Sequence, residues 1–230
     1  MTELIKKYSP LPLDDVKAGQ MAEIYRLLEE KNKVMNLTSI KTPEEAAELH
    51  FGDSLYPLTT NYVRGKILDV GSGGGFPAFP VAVYTGSEVT CLDATLKKLL
   101  FISETAKAVG LSNVKTLCGR AEELSRDKKY RDNFDTVLSR GVARLNVLCE
   151  WCMPYVKPNG YFIAMKGSNG EEEAEEAENA VKVLGGRIVG IKKYDLSLSG
   201  HTHTLVIIEK TSGTPDAYPR HNSQITKKPL

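Results

Sequence analysis

The sequence of 230 residues contains no apolar run long enough to cross a bilayer, which takes roughly 18–20 residues. Its start, MTELIKKYSP, holds no apolar stretch of the length that a secretory signal needs. These absences predict a cytoplasmic protein with no membrane partner. With 41% hydrophobic and 26% charged residues, the composition is that of an ordinary globular chain able to bury a core.

Cysteine and histidine are scarce, with four residues of each kind. Cys149 and Cys152 form one C-x-x-C pair, but no second pair accompanies it, and structural zinc sites take four ligands. His201 and His203 alternate along a predicted strand, and two imidazoles do not make a metal site. We therefore predict no metal and assign the cysteines to core packing, as reduced thiols that suit the cytoplasm.

Net charge is small as well, because 30 basic residues stand against 29 acidic ones. A near-neutral total neither favours nor excludes a nucleic-acid partner, since the local field is what attracts phosphate. The charges are unevenly distributed: residues 170–180 carry six glutamates, whereas residues 218–230 contain Arg220, Lys227 and Lys228 and no acid. We therefore set residues 211–230 apart as a basic C-terminal tail, which either docks on the protein or stays mobile.

The N-terminal part of the chain is predicted to be helical. Residues 13–35 place apolar side chains at helical spacing, which indicates an amphipathic helix. Thr42 and Pro43 provide the cap and the first turn of a second, short helix. We assign residues 1–63 to an N-terminal helical extension.

From residue 66 onward, predicted strands and helices alternate. The strands fall at 66–70, 88–94, 113–119, 134–140, 161–167, 187–196 and 201–210, and the helices at 77–86, 95–110, 120–126, 145–156 and 171–184. KPNG, residues 157–160, is expected to end the fourth of these helices. The alternation indicates an α/β domain at 64–210 with a doubly wound, mostly parallel sheet of seven strands. The last two strands have no helix between them, which predicts an antiparallel hairpin at one edge.

Four candidate positions fall at predicted strand ends: Gly71, Asp93, Ala121 and Arg140. Sheets of this kind bind ligands beyond the carboxyl ends of their strands, at the point where the strand order reverses. We therefore expect these residues to share one edge of the sheet.

The most informative stretch is LDVGSGGGFP, residues 68–77. It is not a P-loop, because no Lys-Ser or Lys-Thr follows Gly75. Gly71, Gly73 and Gly75 give the spacing G-x-G-x-G behind an acidic residue, the form used for S-adenosylmethionine. Asp93, at the end of the second strand, is placed to accept hydrogen bonds from both ribose hydroxyls. The alternative is a glycine-rich turn without a ligand.

The sequence lacks the motifs of two large methyltransferase classes. The segment LSRGVARL stands where enzymes acting on exocyclic amines carry Asn/Asp-Pro-Pro-aromatic, and it holds no nucleophilic cysteine beside a proline. No cluster of His, Asp and Glu suits general-base work. Guanine N7 carries a lone pair and no proton, so a methyl acceptor of that kind is compatible with these absences.

Several segments together resemble the RsmG family, also called GidB. They are NKVMNLTSI (32–40), HFGDSL (50–55), ILDVGSGGGFPAFPVAV (67–83), LDATLKKLLFI (92–102), GRAEEL (119–124) and LSRGVARL (138–145). The resemblance implies a Rossmann-like, class I S-adenosylmethionine-dependent methyltransferase fold. It also implies methyl transfer to guanine N7 in the decoding-region loop of bacterial 16S ribosomal RNA, free or in the small ribosomal subunit. The alternatives are a methyltransferase acting on a small molecule or protein, and a non-catalytic cofactor-binding assembly protein.

The same resemblance implies roles for individual residues. Gly71 and Phe76 would contact the cofactor, as would the backbone at Ala121 and Glu122. Arg140 would lie between cofactor and substrate and bind a cofactor carboxylate or an RNA phosphate. The sequence departs from the family pattern at Ala78, where glycine is usual, and at 141–143, where Gly-Val-Ala replaces Ala-Phe-Ala. Both departures affect the shape of the pocket.

Three further side chains are candidates on the substrate side. His50 and Asp53 either help to close the pocket or form a hydrogen-bonded connector that holds the N-terminal helices on the sheet. Lys166, at the end of the fifth strand, either meets RNA phosphate or is solvated.

Phe76, on the cofactor side, either shapes the cofactor pocket or packs on the following helix. Loss of tail or rim lysines is expected to weaken RNA binding in a salt-dependent way.

Overall fold

Short apolar segments separated by helices form one sheet of seven strands in a computed structural model that describes residues 1–230. The strands are β1 (Ile67–Val70), β2 (Val89–Asp93), β3 (Val114–Cys118), β4 (Phe134–Arg140), β5 (Val156–Lys166), β6 (Gly186–Asp195) and β7 (Thr202–Lys210). Every residue of β1 and β2 is buried, because helices cover both faces of the sheet.

The strand order is β3-β2-β1-β4-β5-β7-β6. The pairs from β3 across to β5 are parallel, and β7 pairs antiparallel with both β5 and β6. This confirms the predicted mostly parallel sheet with an antiparallel hairpin at one edge. The strand order reverses between β1 and β4, so this fold opens its ligand crevice there.

Helices cover the sheet on both faces. They are α1 (Thr2–Tyr8), α2 (Asp15–Met35), α3 (Pro43–Ala46), α4 (Asp53–Leu55), α5 (Ala78–Thr85), α6 (Leu96–Ala108), α7 (Ala121–Leu124), α8 (Leu145–Cys152), α9 (Gly170–Glu176), α10 (Glu178–Val183) and α11 (Asn222–Lys227). A π-helical turn at Ala47–Gly52 joins α3 to α4. No helix combines the length and the apolar character that a membrane crossing requires.

The N-terminal helices share a hydrophobic core with one face of the sheet. Met21 and Ile24 of α2 are fully buried in the same cluster as Ile67 of β1. Thr42 caps α3 in the predicted way, since its hydroxyl accepts from the Glu45 N–H and the Glu45 side chain accepts from the Thr42 N–H. Helix α1, whose Ile5 lies fully buried in this core, carries no helix signal that the sequence patterns above identified.

Two elements differ from the sequence-based expectation. The acidic segment forms two helices rather than one, with the break at Ala177. Buried alanines recur every third residue there, at Ala174, Ala177 and Ala180, and Ala177 departs from ideal helical geometry with φ −89° and ψ −1°. KPNG does not end a helix: α8 stops earlier, and residues 157–160 lie inside β5, whose pairing with β4 shifts register.

The C-terminal segment is docked on the protein rather than free. The guanidinium of Arg131 donates to the carbonyl oxygens of Thr214 and Tyr218, at 2.7 and 3.1 Å. Arg220 forms an ion pair with the fully buried Glu150, with Nη2 2.7 Å from Oε2. A buried carboxylate requires such a partner, so this ion pair holds the segment in place.

Arg220→Met should leave the Glu150 carboxylate buried without its counter-charge and lower the free energy of unfolding by about 3 kcal/mol. Urea denaturation measures the change. Arg187→Met is the matched control, because Arg187 forms an exposed pair with Glu209 and such pairs contribute about 0–1 kcal/mol. Equal effects of the two substitutions would contradict the anchoring role of Arg220.

Candidate functional site

The carboxyl ends of β1, β2 and β3 open onto one cleft, which we call the central cleft. Its walls are Val70, Gly71, Leu92, Asp93, Ala94, Gly119, Arg120, Ala121, Glu122, Val142 and Trp151. The structure therefore brings three of the four strand-end positions together at this cleft, Gly71, Asp93 and Ala121, with Glu122 beside them. Gly73, Phe76, Arg140, Lys166, His50 and Asp53 are not among the lining residues.

The glycine loop turns sharply off the end of β1. The N–H groups of Gly71 and Ser72 both donate to the carbonyl oxygen of Leu92, at 2.8 and 3.1 Å. Gly71 has φ +79°, and a Cβ at this position would lie 2.5 Å from Cγ2 of Val142. Glycine is required here because any side chain would fill the cleft and strain the backbone.

Asp93 fixes the loop to the neighbouring strand. Its Oδ2 accepts from the Gly73 N–H at 3.1 Å, and its Oδ1 accepts from the Thr95 N–H at 2.8 Å. Each oxygen keeps a second lone pair, since these are its only hydrogen bonds in the chain. Asp93 thus presents a preorganised acceptor to the central cleft, while Gly73 shapes the loop that Asp93 holds.

The far wall of the cleft comes from α7 and α8. The Tyr155 hydroxyl donates to the Ala121 carbonyl oxygen at 2.7 Å and so fixes the backbone at Ala121 and Glu122. Trp151 and Val142 complete this wall, and the sequence analysis missed both as site residues. Trp151 is the only tryptophan in the chain and follows the loop after Arg140 by a few residues, a signal that could have indicated it.

Phe76 packs against the N-terminal extension. Its ring stacks on the imidazole of His50, with centroids 4.4 Å apart, and meets Phe51 edge-on at 5.4 Å. His50 Nε2 lies 2.9 Å from the Thr38 hydroxyl oxygen. Burial and the nearby Arg140 charge lower the pKa of His50 to about 3, so its imidazole is uncharged at neutral pH. Phe76 was expected either to shape the cofactor pocket or to pack on the following helix, and this geometry favours packing. The ring packs on His50 as well as on that helix.

A buried carboxylate joins Arg140 to distant parts of the chain. Nη1 of Arg140 donates to Oδ2 of Asp53 and to the Leu49 carbonyl oxygen, both at 2.7 Å. Oδ1 of Asp53 lies 2.7 Å from the Tyr194 hydroxyl and 2.8 Å from Nδ1 of His203. Burial alone would raise the pKa of Asp53, but the His203 hydrogen bond and the Arg140 charge lower it below its usual value. Asp53 is only 2% exposed, and its contacts have the geometry of the hydrogen-bonded connector between the N-terminal helices and the sheet.

Lys166 braces the loop between β4 and α8. Its Nζ donates to the Ala143 carbonyl oxygen at 2.7 Å and lies 2.8 Å from Oε2 of Glu173. The same Glu173 oxygen accepts from the Leu145 N–H at the start of α8. The Lys166 side chain is 10% exposed and already paired, so it is neither solvated nor presented to an RNA phosphate in this structure.

Asp69 carries an unusual buried carboxyl beneath the glycine loop. It is fully buried on β1, and neither carboxyl oxygen has a hydrogen-bond partner in the chain. Burial raises the pKa of Asp69 to about 7, because an ionised carboxylate is poorly solvated there. The acidic position in the motif was visible in the sequence, but its protonation was not.

No group of three or more His, Cys, Asp or Glu side chains is placed to hold a metal ion. Cys91, Cys149 and Cys152 are buried, in agreement with a packing role. Cys118 is exposed, contrary to expectation, because β3 is an edge strand whose residues are only partly covered.

Asp69→Asn should change how stability depends on pH. The folded carboxyl holds its proton up to about pH 7, whereas the unfolded one releases it near pH 4. The contribution of Asp69 to the free energy of unfolding is therefore fully present below pH 4. It is lost as the pH rises toward 7. The variant should gain about 4 kcal/mol relative to the natural protein between pH 4 and 8, measured by urea denaturation. Asp216→Asn, at an exposed position, is the control, and parallel curves for the Asp69 variant and the natural protein would contradict the assignment.

The fold recurs in solved structures. P. horikoshii TYW2 in complex with MeSAdo has a TM-score of 0.56 at 14% identity, over 75% of this chain and 65% of that one. TrmN from Thermus thermophilus has a TM-score of 0.52 at 20% identity, over 68% of this chain and 47% of that one. Similarity at this level of identity shows the shared Rossmann-like fold alone.

Relatives found by sequence are far more similar to this chain than these solved structures are. A chain from Clostridium tetani named "Ribosomal RNA small subunit methyltransferase G" is 40% identical over 220 residues, covering 94% of this chain and 92% of the relative. A chain of the same name from Clostridium perfringens strain 13 is 43% identical over 207 residues, covering 89% and 87%. The profile of the family described as "GidB: rRNA small subunit methyltransferase G" matches residues 17–199. The glycine loop, the strand ends and these matches together establish that the chain belongs to the GidB family.

Proposed function

We propose that this protein transfers a methyl group from S-adenosylmethionine to N7 of a guanine in the decoding-region loop of 16S ribosomal RNA. The observation that carries the proposal is membership of the GidB family over most of the chain, with relatives named as small-subunit ribosomal RNA methyltransferases. The family match disfavours the two alternatives, a small-molecule or protein methyltransferase and a non-catalytic assembly protein.

The central cleft fits this cofactor. Val70, Leu92 and Ala94 offer apolar surface, Gly71 leaves room that a Cβ would fill, and Asp93 has lone pairs free for ribose hydroxyls. When bound, the cofactor supplies a methyl group on a positively charged sulfur. Asp93 would hold the ribose, and the backbone at Ala121 and Glu122 would meet the adenine.

The residues around the cleft suit an acceptor that needs no deprotonation. The ionisable side chains that line it are Asp93, Arg120 and Glu122, and Asp93 is already committed to the glycine loop. His50 is stacked on Phe76 and does not line the cleft. Catalysis would therefore consist of holding N7 in line with the methyl group in a preorganised site, which leaves proton transfer out of the reaction.

Contacts with RNA would come from positively charged side chains outside the central cleft. Arg140 would meet an RNA phosphate or the cofactor carboxylate at the end of β4. Exposed Lys33 and Lys41 beside the N-terminal helices, and Lys227 and Lys228 in the C-terminal segment, would supply further positive charge. We further propose the small ribosomal subunit or its RNA as the partner and the cytoplasm as the location. The salt-dependent loss of binding on removal of these lysines stays a prediction.

A methyl-transfer assay with labelled S-adenosylmethionine tests the function directly. Unmodified small-subunit RNA is offered both free and as subunits, and the product is mapped by strand scission at 7-methylguanine. Label at a single guanine is expected, and Arg140→Ala should reduce its formation by at least about a hundredfold, the cost of losing a charged, preorganised contact. Arg187→Ala, at an exposed position of the edge strand β6, should leave the formation of labelled product unchanged.

Cofactor binding without methyl transfer to any form of the RNA would contradict the proposed function while leaving the fold intact. Label at many guanines would also contradict it, because a site that holds one N7 in line has to select one target.

A further inference from the structure

Three segments that are far apart in the chain meet at the Asp53 carboxylate. Asp53 lies at the start of α4 in the N-terminal extension, Arg140 at the end of β4, and Tyr194 and His203 on the edge hairpin. Tyr194 and His203 both reach Oδ1, which leaves Oδ2 for the guanidinium of Arg140. One carboxylate oxygen of Asp53 thus contacts the edge hairpin, and the other contacts Arg140.

This division leaves part of Arg140 available to a ligand. A guanidinium carries five N–H donors, and both hydrogen bonds of Arg140 within the chain use Nη1. Nε and Nη2 have no partner in the chain and are not among its buried unpaired atoms, so they remain open to solvent. The side chain is held on one side and keeps three donors free on the other.

We infer that Tyr194 and His203 are positioning residues that set the orientation of the Arg140 guanidinium through Asp53. The inference rests on the proposed function of the site at which Arg140 lies. A freely rotating guanidinium would lose conformational entropy on binding each phosphate or carboxylate, whereas a fixed one binds without that cost. The hairpin therefore supports substrate positioning although neither side chain lines the central cleft.

Conservative substitutions separate this role from general folding. Tyr194→Phe removes only the hydroxyl and keeps the ring that stacks on Tyr56, with centroids 3.7 Å apart. His203→Leu removes the donor to Asp53, and His203→Asn restores an N–H near the position of Nδ1. Tyr56→Phe is the matched control, because the Tyr56 hydroxyl donates to the Asp195 carbonyl oxygen and not to Asp53.

Tyr194→Phe and His203→Leu should each lower kcat/KM for RNA by about tenfold, the effect of one lost hydrogen bond to a charged group. The asparagine variant and the Tyr56 control should stay within about threefold of the natural protein. In an Arg140→Lys background, Tyr194→Phe should have little further effect, because both changes act on the same contact. Additive losses in that background would overturn the inference.

The side chain itself gives a readout that does not depend on methyl transfer. In ¹⁵N NMR spectra, the Arg140 guanidinium, identified by its loss in Arg140→Lys, should show slow rotation in the natural protein and in Tyr56→Phe. Rotation should become faster in Tyr194→Phe and His203→Leu. Unchanged rotation would refute the positioning role even if activity fell. Because this measurement needs no substrate, it tests the inference even if the RNA assay fails.

Discussion

Parallel pairing of β1 with both β2 and β4 is the constraint on which the rest of the site depends. The pairing sets Val70 opposite Leu92 and Asp69 opposite Leu138, so all three strands end at the same edge of the sheet. The chain leaves β1 through glycines because a backbone turning this sharply beside Val142 has no room for a Cβ. The cleft is therefore a consequence of strand register before any ligand is considered.

The site has two sides with different physical characters. On one side, the central cleft combines apolar walls with the preorganised Asp93 carboxylate, the combination that a nucleoside requires. On the other side, two contacts connect the strand ends to the N-terminal extension. Phe76 stacks on His50, and Arg140 donates to Asp53. Residues 1–63 contribute side chains to the hydrophobic core of the sheet and so help to support the candidate site.

Much of the fold followed from the sequence because it depends on local patterns. Apolar strands, helix caps and the alternation of elements are visible over a few residues, and Thr42 and Gly71 behave as those patterns indicated. The Asp53 contacts could not be predicted, since Tyr194 and His203 lie about 140–150 residues away along the chain. Likewise, the pairing of Lys166 with Glu173 and of Arg220 with Glu150 depends on which helix covers which strand. Patterns within the sequence placed the candidate residues at strand ends, but only tertiary packing shows which of their charged side chains are already paired.

The central claim is that strand register builds the cofactor site at the central cleft, and a crystal structure with bound S-adenosylhomocysteine tests it most directly. In that structure the ribose hydroxyls should lie on Asp93, the adenine beside Ala121, and the amino-acid end along Gly71 toward Arg140. Binding instead in the polar cleft that Arg120 and Arg126 form with the C-terminal segment would contradict it.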